Sequence, residues 1–248
     1  KNSSIQEYFL FMGISSLITG TFFMLRVKIY YKINFIFTDY KKTINFLKSS
    51  FKLYISEIWS TLSNSFIPIL IKSTLGNLDL GIYNISERIK SILVQAIHPL
   101  THSIFPRISK KYYLNKTEGN LSLLKILKIG LILITIIFII TNIFINQIVS
   151  YFSSEYSAEI IPIFRILLFS FLLNVMTEIF ITQYFVPNNM YNFINNLQII
   201  KFIFYLFFIS TGIYILGLKG AALGAVASEI LSISILVNKF KLTMDHKV

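Results

Sequence analysis

The chain has 248 residues, 54% of them hydrophobic and only 14% charged, with no cysteine and a net charge of +12. A soluble domain usually carries about a quarter charged residues, so this chain lacks the polar side chains to cover a water-facing surface, and it is too apolar for disorder. The absence of cysteine excludes a disulfide framework and thiolate chemistry.

A transmembrane helix needs about 20 mostly apolar residues. In chain order, seven stretches qualify: 8–25, 51–71, 80–105, 123–148, 160–186, 193–216 and 221–237. The fourth is the most apolar, with no charged residue from Ile129 to Ile140, whereas the second, third and seventh carry internal polar groups. Strand-period alternation and hairpin signals do not occur, so no β-barrel is expected. The first run is not a signal peptide, being too long, without a small-residue cleavage site, and followed by six more. The predicted fold class is all-α, a multi-pass transmembrane helical bundle of about seven helices.

The charges sort by connection. Arg26, Lys28, Lys32, Lys41, Lys42, Lys48 and Lys52 flank the first long connection. Arg107, Lys110, Lys111 and Lys116 follow the third helix, and Lys239, Lys241 and Lys247 lie near the C-terminus. Along alternating helices these three regions share one side. The opposite connections hold only Lys72 and Lys219, and one of them is acidic, with Glu155 and Glu159. By the positive-inside rule the C-terminus is cytoplasmic, so the basic excess reports topology and no nucleic-acid partner is expected. The basic, aromatic stretch 27–48 suits a membrane surface, with Tyr and Phe rings among the headgroups and Lys toward lipid phosphates; a plain charged connector is the alternative. A chain that starts at Lys1 with an odd number of helices is expected to be a fragment lacking N-terminal helices.

Polar residues inside apolar helices carry the functional signal, because Asp, Lys or Arg at mid-membrane costs about 2.5–3.5 kcal/mol. In the third helix Asn84, Glu87, Arg88, Ser91, Gln95, His98 and His102 recur every three or four residues, on one helical face. The second carries Glu57, Thr61, Asn64, Ser65 and Pro68. The fifth has Asn174, Thr177, Glu178 and Thr182 on one side, with Arg165 on roughly the opposite side. The sixth has Tyr191, Asn195, Gln198, Lys201 and Tyr205, and the last has Glu229. Such stripes serve either as hydrogen-bonded glue between helices or as the lining of a hydrated cavity. Gly220, Gly224 and Ser228 make a small-residue ridge, and Pro68, Pro99 and Pro162 mark kinks.

Chemical motifs are tested and mostly absent. His98 and His102 have the i,i+4 spacing of a zinc pair, but Pro99 occupies the position where a zinc hydrolase needs Glu. No third ligand is evident nearby in sequence, so no metal site is expected. Gly217 to Gly220 lacks the Gly-Lys-Ser/Thr of a phosphate loop. No nucleophile elbow or dinucleotide fingerprint occurs, and no catalytic residue is assigned.

Several local patterns carry a resemblance. The run Gly76-Asn77-Leu78-Asp79-Leu80-Gly81-Ile82-Tyr83-Asn84-Ile85-Ser86-Glu87-Arg88-Ile89 resembles a signature of Wzx-type O-antigen flippases and related polysaccharide exporters. Phe105-Pro106-Arg107-Ile108-Ser109-Lys110 is similar to their ending of the same helix. Further matches are Phe152 to Tyr156 followed by Ile161-Pro162-Ile163-Phe164-Arg165-Ile166-Leu167, then Gln183-Tyr184-Phe185-Val186-Pro187, and Gly217 through Glu229. Their order and spacing over residues 50–240 mark the multidrug/oligosaccharidyl-lipid/polysaccharide exporter superfamily, whose members set two six-helix lobes around a central cavity and work by alternating access.

The resemblance implies four segments. Residues 1–26 hold the last helix of an N-terminal lobe, 27–48 a basic cytoplasmic linker, 49–240 a C-terminal six-helix lobe and 241–248 a cytoplasmic tail. The implied substrate is an undecaprenyl-diphosphate-linked oligosaccharide, moved from the cytoplasmic to the outer leaflet of the bacterial inner membrane. Membrane lipids, a polysaccharide polymerase and chain-length machinery are the further partners implied. A diphosphate in a bilayer needs cations, for which Arg88, Lys90, Arg165 and Lys201 are candidates, with Glu87 beside them. Asn64, Asn84, Gln95, Asn174, Asn195 and Gln198 suit sugar hydroxyls, and Tyr83 and Tyr205 offer aromatic surface. Glu57, Glu178 and Glu229 are candidates for a coupling proton or cation; no other cofactor is expected. The alternatives are a cation-coupled multidrug exporter of the same fold or, in another class, a multi-pass polysaccharide polymerase or acyltransferase.

Overall fold

A computed structural model of the protein describes residues 3–31 and 40–245, and every long element in it is a helix. The described residues contain no strand, and the chain is an all-α, multi-pass bundle. It divides into two compact units, Lys1–Lys48 and Ser49–Val248. The expected helix ends differ from those observed, chiefly because apolar composition marks the lipid-facing part of a helix while hydrogen bonding continues past it.

The first unit holds helix α1 (Ser3–Tyr31) and the start of α2 (Tyr40–Leu75). Hydroxyl groups along α1 donate back to carbonyls one turn earlier, Ser16 to Met12 and Thr19 to Ser15, both at 2.8 Å. This self-satisfaction lets polar residues sit in an apolar helix. The 27–48 stretch expected as a connector is helical at both ends, in α1 to Tyr31 and in α2 from Tyr40. Lys32 lies outside the described residues, as does Lys247 of the expected tail.

In the second unit α2 continues to Leu75, and Gly76, at φ 96°, makes the turn into α3 (Asn77–Leu114). That φ lies in the left-handed region, where glycine avoids the Cβ penalty. Asn115 starts α4 (Lys116–Ile143) as a side-chain cap, its Oδ1 accepting from the Thr117 amide at 3.0 Å. The single helix expected over 123–148 is broken at Phe144 into α4 and a short α5 (Ile145–Phe152). Helix α6 (Ser157–Phe180) then supplies much of the core through Ile160, Phe164, Leu167, Leu168, Phe171 and Val175. It ends in a π-helical turn, Ile181–Phe185, and Asn189 at φ 58° leads out of it.

The last run, α7 (Tyr191–Asp245), is two helices that fold back on one another at Gly217, where φ 57° and ψ −136° break the helix. The two arms touch backbone to backbone. A Cβ added at Gly212 or Gly220 would run into the other's carbonyl, and one at Gly224 would stand 2.7 Å from the Phe208 carbonyl. The Gly220/Gly224 ridge thus packs against the first arm.

Helices α1, α4, α6 with its π turn, and α7 are long and apolar enough to cross a membrane. Helices α2 and α3 are as long, at 36 and 38 residues, but carry the polar stripes. Since the arms of α7 are separate rods, the long helical stretches number seven among the described residues.

Candidate functional site

The polar stripes of α2, α3, α6 and both arms of α7 meet around a two-lobed cavity in the second unit. One lobe has a volume of about 210 Å³ and the other about 420 Å³, and both are lined by Asn64, Glu87, Ser91 and Tyr205. Helix α3 contributes most, because its face repeats a polar residue at nearly every turn. Glu87, Lys90 and Gln95 line the smaller lobe, and Asn84, Glu87 and Arg88 the larger. Asn174 enters from α6, Gln198, Lys201 and Tyr205 from the first arm of α7, and Glu229 from the second. Tyr83 lines the larger lobe.

Four of the candidate residues stand elsewhere. Arg165 is exposed, nine residues before Asn174, a spacing that puts it about half a turn around α6. Glu57 is exposed near the start of the second unit, and Asn195 is half-buried without lining the cavity. Glu178 points to a separate cluster with His98 and His102, described below. The α2 face is also rotated relative to expectation. Ser60, Ser63, Asn64, Ile67 and Pro68 line the cavity, whereas Thr61 and Ser65 do not. The spacing 60, 63, 64, 67 is itself a helical stripe, but with small hydroxyl residues that carry little signal in sequence.

The charges are organised in pairs. Lys201 Nζ lies 2.7 Å from Glu229 Oε1, which also accepts a hydrogen bond from Asn174 Nδ2 at 3.1 Å. Their side chains are 17% and 9% exposed, so the pair is largely withdrawn from solvent. Lys90 Nζ lies 2.6 Å from Glu87 Oε1, three residues earlier on α3. The second oxygens of Glu87 and Glu229 are buried without a hydrogen-bond partner among the described residues. Lys90 and Lys201, both in the cavity, are thus each paired with a carboxylate. Among the described residues Arg88 forms no ion pair. It is the cavity cation with unspent charge.

One helical turn beyond Asn174, Glu178 Oε2 meets His98 Nε2 at 3.2 Å. The rings of His98 and His102 lie 5.8 Å apart, and Thr101 Oγ1 stands 3.4 Å from Glu178 Oε1. Gln183, on the π turn, donates from Nε2 to the Thr101 carbonyl at 2.7 Å. The third partner of the histidines comes from another helix, which sequence spacing does not reveal.

The site is thus a polar, charge-paired cavity inside a bundle of helices, several of them long and apolar enough to cross a membrane. Residues 4–112 match the family described as polysaccharide biosynthesis protein. The fold matches the crystal structure of a point mutant of the MATE transporter VcmN from Vibrio cholerae with a TM-score of 0.78 at 15% identity. That match covers 90% of this chain and 52% of the transporter, so the chain spans about half its length. At such identity the likeness shows the fold. No curated protein matches in sequence. The family match over the N-terminal part of the chain and the likeness in fold agree with the resemblance that the sequence patterns carry.

Proposed function

We propose that the chain forms part of a flippase that moves an undecaprenyl-diphosphate-linked oligosaccharide, an O-antigen or capsule repeat, from the cytoplasmic to the outer leaflet of the bacterial inner membrane by alternating access. The positive-inside distribution supports a cytoplasmic C-terminus. The observation that carries the reading is the composition of the cavity: amides from Asn64, Asn84, Gln95, Asn174 and Gln198 and hydroxyls from Ser60, Ser63 and Ser91, beside Arg88, which forms no ion pair among the described residues. Amides and hydroxyls suit a sugar, and a guanidinium forms bidentate bonds to phosphate. The family match is its second support.

The paired carboxylates suggest how a coupling proton acts. Protonation of Glu229 removes the counter-charge of Lys201, leaving the ammonium free for a phosphate oxygen. Proton binding and anion binding then favour one another, as linkage requires. Of the three acidic candidates for coupling, Glu229 is the one that lines the cavity; Glu57 and Glu178 do not.

The fold match favours a second reading, a cation-coupled multidrug exporter. An oligosaccharide polymerase or acyltransferase is less well supported, because His98 and His102 are inside α3 and no large outer loop is present among the described residues. Deletion of the full-length gene tests the readings. A flippase deletion leaves lipid-linked repeat in the inner leaflet and depletes surface polysaccharide; unchanged sidedness with increased drug susceptibility refutes it in favour of the exporter. In the full-length protein Arg88→Ala should impair export while membrane insertion stays intact, because its side chain is exposed to the cavity and supports no packing.

A further inference from the structure

We propose that His98, His102 and Glu178 form a binding site for a divalent transition metal of the zinc type, bridging α3 and α6. The inference concerns a cluster outside the cavity and does not depend on what the protein transports.

The donor set is two imidazoles and one carboxylate. That set suits a borderline ion such as Zn²⁺ or Co²⁺ and leaves a fourth position for water, whereas Mg²⁺ and Ca²⁺ select oxygen. Two histidines at i,i+4 present their rings from one helical face, and the third donor arrives from a neighbouring helix. The ligating atoms all lie within 4.8 Å of one another. His98 Nε2 and Glu178 Oε2 are 3.2 Å apart; two ligands bound at about 2.0–2.1 Å to a tetrahedral ion stand about 3.3 Å apart. His102 is exposed, and a rotation of its side chain would close the remaining distance. His98, 44% exposed, leaves the ion a route in.

The surroundings hold the ligands in place. Thr101 lies between the histidines on α3 with its hydroxyl beside Glu178 Oε1, and Gln183 ties the Thr101 carbonyl to the α6 side. Outer partners of this kind orient metal ligands and raise affinity. A simple ion pair between His98 and Glu178 requires neither the alignment of His102 nor its proximity to the carboxylate. No hydrolytic role follows, because Pro99 stands where a general base is needed. An ion here cross-links α3 and α6, which also wall the cavity, one helical turn from Asn174.

The test uses the whole chain, purified in detergent without an affinity tag and stripped of metal, then titrated with Zn²⁺ by calorimetry and with Co²⁺ by visible absorption. The expected result is one ion per chain and the intense absorption of tetrahedral Co²⁺, with affinity at least about tenfold weaker in His102→Ala and Glu178→Ala. His102→Ala keeps the His98–Glu178 contact, so it separates metal binding from folding. His246 lies outside the described residues, and His246→Ala is the control that retains binding. Absence of stoichiometric binding, a smaller loss in His102→Ala, or a comparable loss in His246→Ala overturns the proposal.

Discussion

The Lys201–Glu229 pair gives the sharpest energetic test of the cavity. At 2.7 Å and an effective dielectric constant of about 20, two unit charges attract by about 6 kcal/mol before the loss of hydration is counted. Desolvating both groups offsets most of this, so the pair itself contributes little net stability; removing one partner strands the other and costs about 3–5 kcal/mol in a fully buried site. Here the cavity softens the penalty, and about 2–3 kcal/mol is expected for Lys201→Met. Glu229→Gln should cost less, because the amide oxygen can still accept from Asn174 and Lys201. The double variant Lys201→Met/Glu229→Gln should be more stable than the sum of the singles implies, with a coupling energy of about 1–2 kcal/mol. Reversible unfolding in mixed detergent micelles, followed by circular dichroism, measures all four corners of the cycle. Coupling below about 0.5 kcal/mol would refute the view that the two charges sustain one another.

Three further outcomes follow from the packing. Gly220→Leu forces side-chain volume between backbones already in contact, and thermal unfolding should show a loss of more than about 3 kcal/mol, beyond ordinary overpacking. Asn115→Ala removes the acceptor for the Thr117 amide and should cost about 1 kcal/mol in the same assay. Arg165→Ala, exposed and remote from the cavity lining, should leave export of lipid-linked repeat at the wild-type level, in contrast to Arg88→Ala.

The third helix was the most legible part of the molecule, because a charged or amide residue at nearly every turn leaves little doubt about its polar face. Asn84, Glu87, Arg88 and Gln95 all border the cavity. The α7 turn was legible too, since Gly217, Lys219 and Gly220 separate two apolar runs. The α2 face was harder to place. Serine bonds to its own helix carbonyls as readily as it lines water, and Ser63 does the former while bordering the cavity. Pairing was not legible at all. Lys201 finds its counter-ion 28 residues away, across a hairpin whose register depends on glycine contacts, and Glu178 meets His98 across 80 residues. Periodicity places a residue on its own helix and is silent about which neighbour it faces.

The close approach of Gly212 and Gly220 bears on how such a cavity opens. Joined at Gly217 and in backbone contact at Gly212 and Gly220, the two arms of α7 are expected to move as one unit. Lys201 and Glu229 belong to opposite arms of that unit, so a swing of it against α3 should leave their contact in place, whereas loss of either charge should part them.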